Sequence, residues 1–363
     1  MQIHATIGPA SLKGEKPGKG DEPGGEGDIL EKLVGAGATA LRINMSHATH
    51  EALGDIVGRA RRTVPGIPVG VDLRSRKLRL GALPGGSVTL LKGGIFTLLP
   101  VEDESQELKN PGPGHAAYPA PNMTSNRAEV NYPAMPRVVV PGQEILLDDG
   151  AVSLIVVKVG RDDAGRDCVV CEVARGGVVP QRSGVNLPGH QTGMPALTAK
   201  DRADLDAAAA LRADFVYLSF VETAEDIKLL RDALGRRGMD VPIIAKVERA
   251  VALENLGEIS RAADSICIAR GDLGVEVPFA RIPAVQRQIV KAAKDAKTPV
   301  LLAGEVLFSL VTRLVPFRAE LTDVINALEQ GVDGFVLSDE TAVGVDPANA
   351  VSTLKMLVRG FAL

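Results

Sequence analysis

Two short runs of this sequence place charged side chains directly after apolar, strand-like segments. One apolar run ends at Ala269 and leads to Asp272, and an earlier run ends at Ala245 and leads to Lys246 and Glu248. Such strands would deliver two carboxylates and one lysine at their carboxyl ends, where barrel enzymes keep their active sites. Carboxylate oxygens suit a hard divalent cation, and a neighbouring ammonium suits developing negative charge. The pattern predicts a cation site beside a phosphate or an enolate.

Eight apolar runs, separated by segments with helix periodicity, predict the scaffold that positions these side chains. The predicted strands are Ile3–Ile7, Ala38–Asn44, Pro68–Leu73, Asp214–Ser219, Val241–Lys246, Asp264–Ala269, Pro299–Ala303 and Asp333–Ser338. The predicted helices are Asp28–Val34, Glu51–Arg62, Lys200–Arg212, Ala224–Arg237, Val251–Ala262, Ile282–Lys297, Arg318–Gln330 and Ala348–Leu357. Eight strand–helix units predict an α/β fold, a (β/α)8 TIM barrel. The alternative, an open doubly wound sheet, would need a switch point and an early glycine-rich phosphate turn, and neither is evident.

A long stretch between the third and fourth predicted strands breaks this rhythm. Its alternating, turn-punctuated runs predict an inserted small β-barrel-like lid domain over residues 76–182, with residues 1–75 and 183–363 forming the barrel. The predicted lid strands are Lys77–Leu80, Ser87–Leu91, Ile95–Leu99, Arg137–Val140, Glu144–Leu147, Val152–Val159 and Cys168–Val173. The segment Asn110–Asn131 is predicted to be an exposed loop, and the glycine-rich segment Lys13–Gly27 is predicted to be mobile.

Composition and charge exclude several classes of protein. The net charge of −4 gives no electrostatic case for binding nucleic acid or an anionic membrane. No apolar run reaches the roughly 18 residues of a membrane span, and the first residues enter a predicted strand instead of a signal peptide. Three cysteines argue against a disulfide scaffold and favour a cytoplasmic protein. Cys168 and Cys171 have zinc-motif spacing, but the sequence offers no second pair to complete a site.

Several motifs, in one order along the chain, resemble motifs of the pyruvate kinase family. They are Thr6–Ser11, Arg42–His47, Leu147–Gly150, Gly184–Gly189, Pro195–Asp201, Lys246–Glu248, Ala269–Glu276 and Arg318–Glu320. Each motif alone is weak, but their collinear order over nearly the whole chain indicates common descent. The resemblance implies the same barrel and lid. It ends after the eighth predicted helix near Leu363, so we expect this chain to lack the family's C-terminal regulatory domain.

The resemblance implies catalytic and substrate-binding roles for residues at the predicted strand ends. It implies that Glu248 and Asp272 bind Mg²⁺ or Mn²⁺ and that Lys246 lies beside the transferring phosphoryl group. Arg42 would bind the phosphate through its planar guanidinium. The backbone N–H groups of Gly271 and Asp272, at a helix start, would bind a substrate oxygen.

The resemblance also implies a monovalent cation site and a nucleotide site. The oxygen donors implied for K⁺ are those of Asn44, Ser46 and Asp72 and the carbonyl of Leu73. The residues implied for nucleotide binding are Asn44, Ser46, His47 and Arg79. Mg²⁺ and K⁺ are therefore the expected cofactors.

The sequence departs from the family pattern near the implied substrate site and at the lid hinge. Gly304, at an implied substrate-binding position, replaces a threonine whose hydroxyl helps to protonate the enolate, and Asp339 replaces a glycine after the eighth strand. Ser75 and Arg76 stand where the family has Gly-Pro at the lid hinge, and Glu222 occupies a position that is often arginine. The metal, phosphate and K⁺ sites are thus kept, while proton delivery and nucleotide binding are altered.

Three functions remain open. The main expectation is a Mg²⁺- and K⁺-dependent phosphotransferase that interconverts phosphoenolpyruvate plus ADP with pyruvate plus ATP, in a homo-oligomer smaller than a tetramer. For such a kinase, Gly304→Thr is expected to raise pyruvate formation. The alternative is a metal-dependent lyase or enolising enzyme for a pyruvate-like 2-oxo acid, with Gly304, Glu305 and Asp339 as a remodelled acid–base wall. The third is a non-catalytic paralogue.

Overall fold

The structure is a computed structural model that describes residues 1–12, 28–101 and 126–361 of the chain. Its strands are β1 (Gln2–Ile7), β2 (Ala40–Asn44), β3 (Val69–Leu73), β4 (Ser87–Leu90), β5 (Ile95–Pro100), β6 (Arg127–Val130), β7 (Glu144–Leu147), β8 (Val152–Arg161), β9 (Asp167–Arg175), β10 (Gly177–Pro180), β11 (Val185–Asn186), β12 (Phe215–Leu218), β13 (Ile243–Val247), β14 (Ser265–Ala269), β15 (Val300–Ala303) and β16 (Gly334–Leu337). Its helices are α1 (Pro9–Leu12), α2 (Ile29–Ala36), α3 (His50–Thr63), α4 (Met135–Val138), α5 (Ala199–Ala210), α6 (Ala224–Gly235), α7 (Leu256–Ala262), α8 (Arg270–Glu276), α9 (Ile282–Asp295), α10 (Arg318–Gln330), α11 (Asp339–Ala342) and α12 (Pro347–Phe361). Among the residues described, no helix has both the length and the apolar composition that crossing a membrane requires.

Eight parallel strands close into a barrel in the order β1, β16, β15, β14, β13, β12, β3 and β2. Strand β1 closes the ring, because it pairs Gln2 with Gly334 on one side and His4 with Ala40 on the other. Helices alternate with these strands along the chain, as parallel pairing requires. The predicted (β/α)8 barrel is therefore confirmed.

A separate β-rich lid lies between β3 and α5 in the chain. Six of its strands form one sheet in the order β11, β7, β8, β9, β5 and β6, and β10 pairs with β4. All of these pairings are antiparallel except that between β5 and β6. The inserted lid is therefore confirmed, while its limits at residues 76 and 182 stay a prediction.

The barrel and the lid have separate hydrophobic cores. Alternate side chains of the barrel strands point outward to the helices or inward, where Phe215, Tyr217 and Leu301 fill the interior. Gly70 leaves room for this filling, because a Cβ atom there would lie 2.1 Å from the ring of Phe215. The lid packs around its own buried residues, Phe96 among them. The cleft between the two is thus bounded by two independently packed units.

Three predicted segments of the lid differ from the structure, which also contains the unpredicted strands β10 and β11. Arg137–Val140, predicted as a strand, overlaps the short helix α4, which has Pro136 in its first turn, where proline favours a helix start. Lys77–Leu80 makes only isolated bridges. Arg127–Val130, within the predicted loop Asn110–Asn131, is strand β6 beside β5. Residues 110–125 of that loop and the predicted mobile segment Lys13–Gly27 lie outside the described residues.

The three cysteines, Cys168, Cys171 and Cys267, are buried free thiols. Burial raises the pKa of Cys171 and of Cys267 to about 12, because a thiolate is disfavoured in an apolar setting. In the described part of the chain, no three His, Cys, Asp or Glu side chains group closely enough to hold a metal ion. Cys171 packs in the lid core and Cys267 in the barrel interior, so both are structural.

Candidate active site

The side chain of Lys246 lies among polar side chains at the carboxyl-terminal mouth of the barrel, near the end of β13. Its Nζ atom lies 2.8 Å from Oε1 of Glu248, 3.2 Å from Oδ2 of Asp72 and 2.9 Å from Oγ of Ser219. Burial disfavours the charged amine, but the carboxylates of Asp72 and Glu248 outweigh it and raise the pKa of Lys246 above its usual value. Lys246 is therefore a fixed ammonium group.

Arg42 and Asp72 form a buried ion pair between the neighbouring strands β2 and β3. Nε and Nη2 of Arg42 lie 2.8 Å and 2.5 Å from Oδ2 of Asp72, and Nη1 donates to Oγ1 of Thr6 at 2.6 Å. Burial raises the pKa of Asp72, but Lys246 and Arg42 lower it more, so the net shift is downward. Asp72 is thus ionised between two cations, and Arg42 points into the same mouth as Lys246.

Glu248 and Asp272 lie close enough for their charges to interact. Glu248 is buried, and its Oε2 accepts a hydrogen bond of 2.7 Å from the backbone N–H of Phe220. Burial raises the pKa of Glu248, Lys246 lowers it and Asp272 raises it further, with a net upward shift. Two interacting carboxylates beside a lysine fit a divalent cation such as Mg²⁺, which completes its coordination with water and substrate oxygens. These two residues could hold that ion.

The residues implied for K⁺ lie at the carboxyl ends of β2 and β3. The two strands pair Asn44 with Asp72, which brings the turn after Asn44 beside Leu73. Within that turn, Oδ1 of Asn44 accepts a hydrogen bond of 3.0 Å from the backbone N–H of Ser46, and the N–H of Met45 donates to the carbonyl of Asp72. The carboxylate of Asp72 itself contacts Arg42 and Lys246.

Two of the residues implied for nucleotide binding, His47 of the barrel and Arg79 of the lid segment, lie close enough for their charges to interact. Arg79 of the lid segment donates from Nη1 to the carbonyl of Arg182 at 3.0 Å. Burial, Arg79 and Arg42 lower the pKa of His47, and Asp339 opposes them. Asp339 therefore brings negative charge to the same edge of the cleft.

The loop after β15 turns sharply at Gly304 and Glu305, which have φ angles of 87° and 53°. Arg270 holds this turn, because its guanidinium donates to the carbonyl of Gly304 at 2.8 Å and to that of Glu305 at 3.0 Å. The backbone N–H of Gly271 would lie 3.0 Å from a Cβ atom at position 304. The structure therefore places Gly304 against the start of α8, beside Gly271, while the side chains of Glu305 and Asp339 are exposed.

Sequence reasoning missed three polar residues of this site. Ser219 follows the apolar strand β12 directly, which is the signal that singled out Glu248, and its Oγ also donates to Oδ1 of Asp72 at 3.1 Å. Thr6 belongs to the motif Thr6–Ser11, and its Oγ1 accepts a hydrogen bond from Arg42. Lys77, on the lid segment after β3, contacts Asp272, and only the folded chain brings those two together.

The fold and this cluster define a lidded (β/α)8 barrel protein with paired acidic and basic groups at its strand ends. Residues 1–351 match the family model described as pyruvate kinase, barrel domain. The chain therefore belongs to the pyruvate kinase family.

Named relatives agree with that family. The chain is 35% identical to a pyruvate kinase of Corynebacterium glutamicum, over 92% of this chain and 66% of the relative. It is 36% identical to a pyruvate kinase of Methylorubrum extorquens, over 98% and 67% respectively. It is 34% identical to the human pyruvate kinase PKLR, over 98% and 59%. The chain thus spans about two thirds of the length of these bacterial relatives.

Proposed function

We propose that this chain is a phosphotransferase of the pyruvate kinase type, which interconverts phosphoenolpyruvate plus ADP with pyruvate plus ATP. The observation that carries the proposal is the position of the Lys246 ammonium, between the carboxylates of Asp72 and Glu248. A cation fixed at that point suits the negative charge on a phosphoryl group in transfer. Membership of the family supports the same reaction.

The proposed roles follow from the geometry of the mouth. Lys246 offsets the charge on the transferring group, and Arg42 orients it with N–H groups on a planar fork. The backbone N–H groups of Gly271 and Asp272, at the start of α8, receive a substrate oxygen. Glu248 and Asp272 would hold Mg²⁺ or Mn²⁺, which when bound would act as a Lewis acid toward a carboxylate or phosphoryl oxygen. Asn44, Ser46, Asp72 and Leu73 supply the oxygens for K⁺.

The lid residues complete the proposed substrate cleft. Arg79 and His47 would contact the nucleotide, and closure of the lid over the barrel would exclude water from the transferring group. Exclusion of water favours transfer to ADP over hydrolysis. Three buried free thiols support a cytoplasmic location, where thiols stay reduced.

A second candidate function has a specific observation in its favour. The positive φ angle of Gly304 and the absent hydroxyl leave no side-chain acid at the position where the family has threonine. A metal-dependent lyase or enolising enzyme for a pyruvate-like 2-oxo acid would need no nucleotide. Proton delivery would then come from another group of the cleft, and the kinase reaction would be weak.

A coupled assay of pyruvate and ATP formation from phosphoenolpyruvate and ADP tests the proposal, with and without Mg²⁺ and K⁺. The kinase requires turnover that depends on both ions and on ADP. Lys246→Met should lower kcat by about 10²–10³-fold or more with little change in substrate affinity. Lys92→Met, an exposed lid substitution, is the matched control. If ADP gives no turnover and a thermal-shift screen shows stabilisation by Mg²⁺ with oxalate but not with ADP, the lyase is the better assignment.

A further inference from the structure

Two segments join the lid to the barrel: an outgoing segment that follows β3 and a returning segment that precedes α5. Two consecutive residues of the outgoing segment form hydrogen bonds to the returning segment. Ser75, with a φ angle of 54°, donates from Oγ to the carbonyl of Ala196 at 2.7 Å. Its backbone N–H donates to Oδ1 of the buried Asp201 at 3.0 Å. Arg76 donates from Nη1 to the carbonyl of Met194 at 3.0 Å. The outgoing and returning segments therefore form one hinge.

This hinge is tied to the barrel by charge. Arg76 is buried, and its Nη2 and Nη1 lie 2.6 Å from Oδ1 of Asp226 and 3.4 Å from Oε2 of Glu222. Asp226 also accepts hydrogen bonds from the backbone N–H groups of Glu222 and Thr223, which fixes its carboxylate at the start of α6. Two barrel carboxylates thus hold one hinge arginine.

A second buried arginine continues the network toward the proposed metal site. Arg249 lies 3.7 Å from Oε1 of Glu222 through Nη1 and 3.2 Å from Oε2 of Glu276 through Nε. Its Nη2 donates to the carbonyl of His190 in the returning segment. Arg249 directly follows Glu248, and Glu276 ends helix α8, whose first turn contains Asp272. Arg249 is therefore next to Glu248 in the chain and contacts the end of the helix that carries Asp272.

The charges in this network depend on one another. Burial raises the pKa of Glu222 and that of Glu276, and the neighbouring arginines offset this only in part, so both net shifts are upward. Each carboxylate therefore needs its arginine, because a buried charge without a partner is strongly disfavoured. If Arg76 moved away with the lid, Glu222 would lose one of the two arginines that the structure places beside it, and the charge balance around Arg249 would change. A change at the hinge thus reaches the residue next to Glu248.

We propose that Arg76, Glu222 and Arg249 form a buried ion-pair bridge that couples the lid hinge to the spacing of Glu248 and Asp272. These three residues position the two carboxylates and do not contact the substrate themselves. The coupling makes Mg²⁺ affinity depend on the position of the lid relative to the barrel. The inference rests on the proposed function for the metal site. It also explains why two departures from the family pattern, Arg76 and Glu222, occur together, because the structure pairs them.

Calorimetric titration of the full chain with Mg²⁺ alone tests the bridge. Arg76→Met and Glu222→Gln should each weaken Mg²⁺ binding by about 3- to 10-fold. The double variant should lose clearly less than the product of the two single losses, because both substitutions break one bridge. Asp206→Asn, which breaks only the exposed pair with Arg237, should leave the affinity unchanged.

Unchanged Mg²⁺ affinity in both folded single variants would contradict the proposed bridge. So would a loss of affinity in the double variant that equals the product of the two single losses. If Glu222→Gln does not fold, Arg249→Lys replaces it, because a lysine keeps the charge but cannot reach three acceptors. Unchanged affinity in that variant is equally decisive against the proposal. If the variants show the expected coupling in Mg²⁺ affinity but the wild-type chain does not turn over phosphoenolpyruvate, the kinase assignment is wrong and the bridge is still supported. If the wild-type chain binds no Mg²⁺, the proposed coupling is wrong.

Discussion

The ammonium group of Lys77 lies 2.9 Å from Oδ1 of Asp272, so a lid side chain bonds the carboxylate at the start of α8. The same Nζ atom lies 3.9 Å from Oδ1 of Asp149 and 5.6 Å from the ring centre of Phe220. Lid and barrel thus meet at one of the two carboxylates that we propose for Mg²⁺. An incoming divalent cation must compete with this ammonium for the same oxygen.

Replacement of Lys77 by methionine should tighten Mg²⁺ binding. The substitution removes a competing positive charge but keeps an unbranched side chain, so we expect the dissociation constant to fall by about 3- to 10-fold. Calorimetric titration without substrate measures the effect, and Lys92→Met controls for loss of one lid charge. A weaker Mg²⁺ complex in Lys77→Met would show that Lys77 supports the site instead of competing for it.

A side chain at position 304 should cost stability. The φ angle of 87° and a Cβ contact of 3.0 Å with the backbone nitrogen of Gly271 predict that Gly304→Ala lowers the free energy of unfolding by about 1–3 kcal/mol. Gly54→Ala, in the open middle of α3, is the control and should be neutral or stabilising. Urea denaturation compares the two.

The same geometry changes the expectation for Gly304→Thr. Sequence reasoning expects this substitution to raise pyruvate formation, but a β-branched residue at positive φ would be more strained than alanine. We therefore expect an unstable variant with no gain in kcat. A stable Gly304→Thr variant with faster pyruvate formation would show that the loop after β15 rearranges easily.

Neutralisation of Asp72 should be among the most destabilising changes in the barrel. Asp72→Ala would leave Arg42 and Lys246 buried without their shared carboxylate, and breaking a buried pair in this way costs about 3–5 kcal/mol. Asp206→Ala, which loses an exposed ion pair, should cost less than about 1 kcal/mol. Both values follow from urea denaturation at neutral pH. Similar losses in the two variants would contradict the ion-pair assignment.

His4 should make the protein less stable in mild acid. Burial, and then the charge of Arg42, lowers the pKa of His4 from 6.5 to about 4, and its Nδ1 is hydrogen-bonded to the hydroxyl of Tyr217. Because the unfolded chain takes up the proton first, this contribution to stability is complete above pH 6.5 and declines as the pH falls toward 4.

Protonation of His4 should lower the free energy of unfolding by roughly 2–3 kcal/mol at about pH 4.5. Unfolding free energies of the wild type and of His4→Gln at about pH 7 and pH 4.5 isolate it, because acidic groups elsewhere titrate equally in both proteins. An equal decline in the two proteins would show that His4 does not titrate in this range.

The barrel was predictable because its strands are buried on both faces. Such strands read as continuous apolar runs, so the predicted Val241–Lys246 and the observed Ile243–Val247 nearly coincide. A short apolar run does not separate strand from helix, and Arg137–Val140 was wrong for that reason. Lys246 lies at the carboxyl end of β13 and Glu248 directly follows this strand, so locating the end of the strand in the sequence was enough to place both residues in the candidate site.

Contacts between distant segments were not predictable from the chain. Sequence reasoning marked Arg76 and Glu222 as separate departures, and only the fold shows that they face each other. Lys77 and Asp272 belong to different units, and no local pattern relates them. The sequence pattern therefore predicts the charged residues at the strand ends, but not the ion pairs that form between lid and barrel segments.

Closure of the barrel by β1 and β16 has a consequence for how the chain folds. Gln2 finds its partner Gly334 only when nearly all of the barrel has been synthesised, and Leu73 finds Leu218 only across the whole inserted lid. Contacts of such sequence separation carry a large loop-closure entropy and slow folding. Until β16 is added, the partial barrel has two unpaired strand edges, where nascent chains would aggregate. Folding of the barrel should therefore be slow and late, whereas the lid, with its own core, can form early.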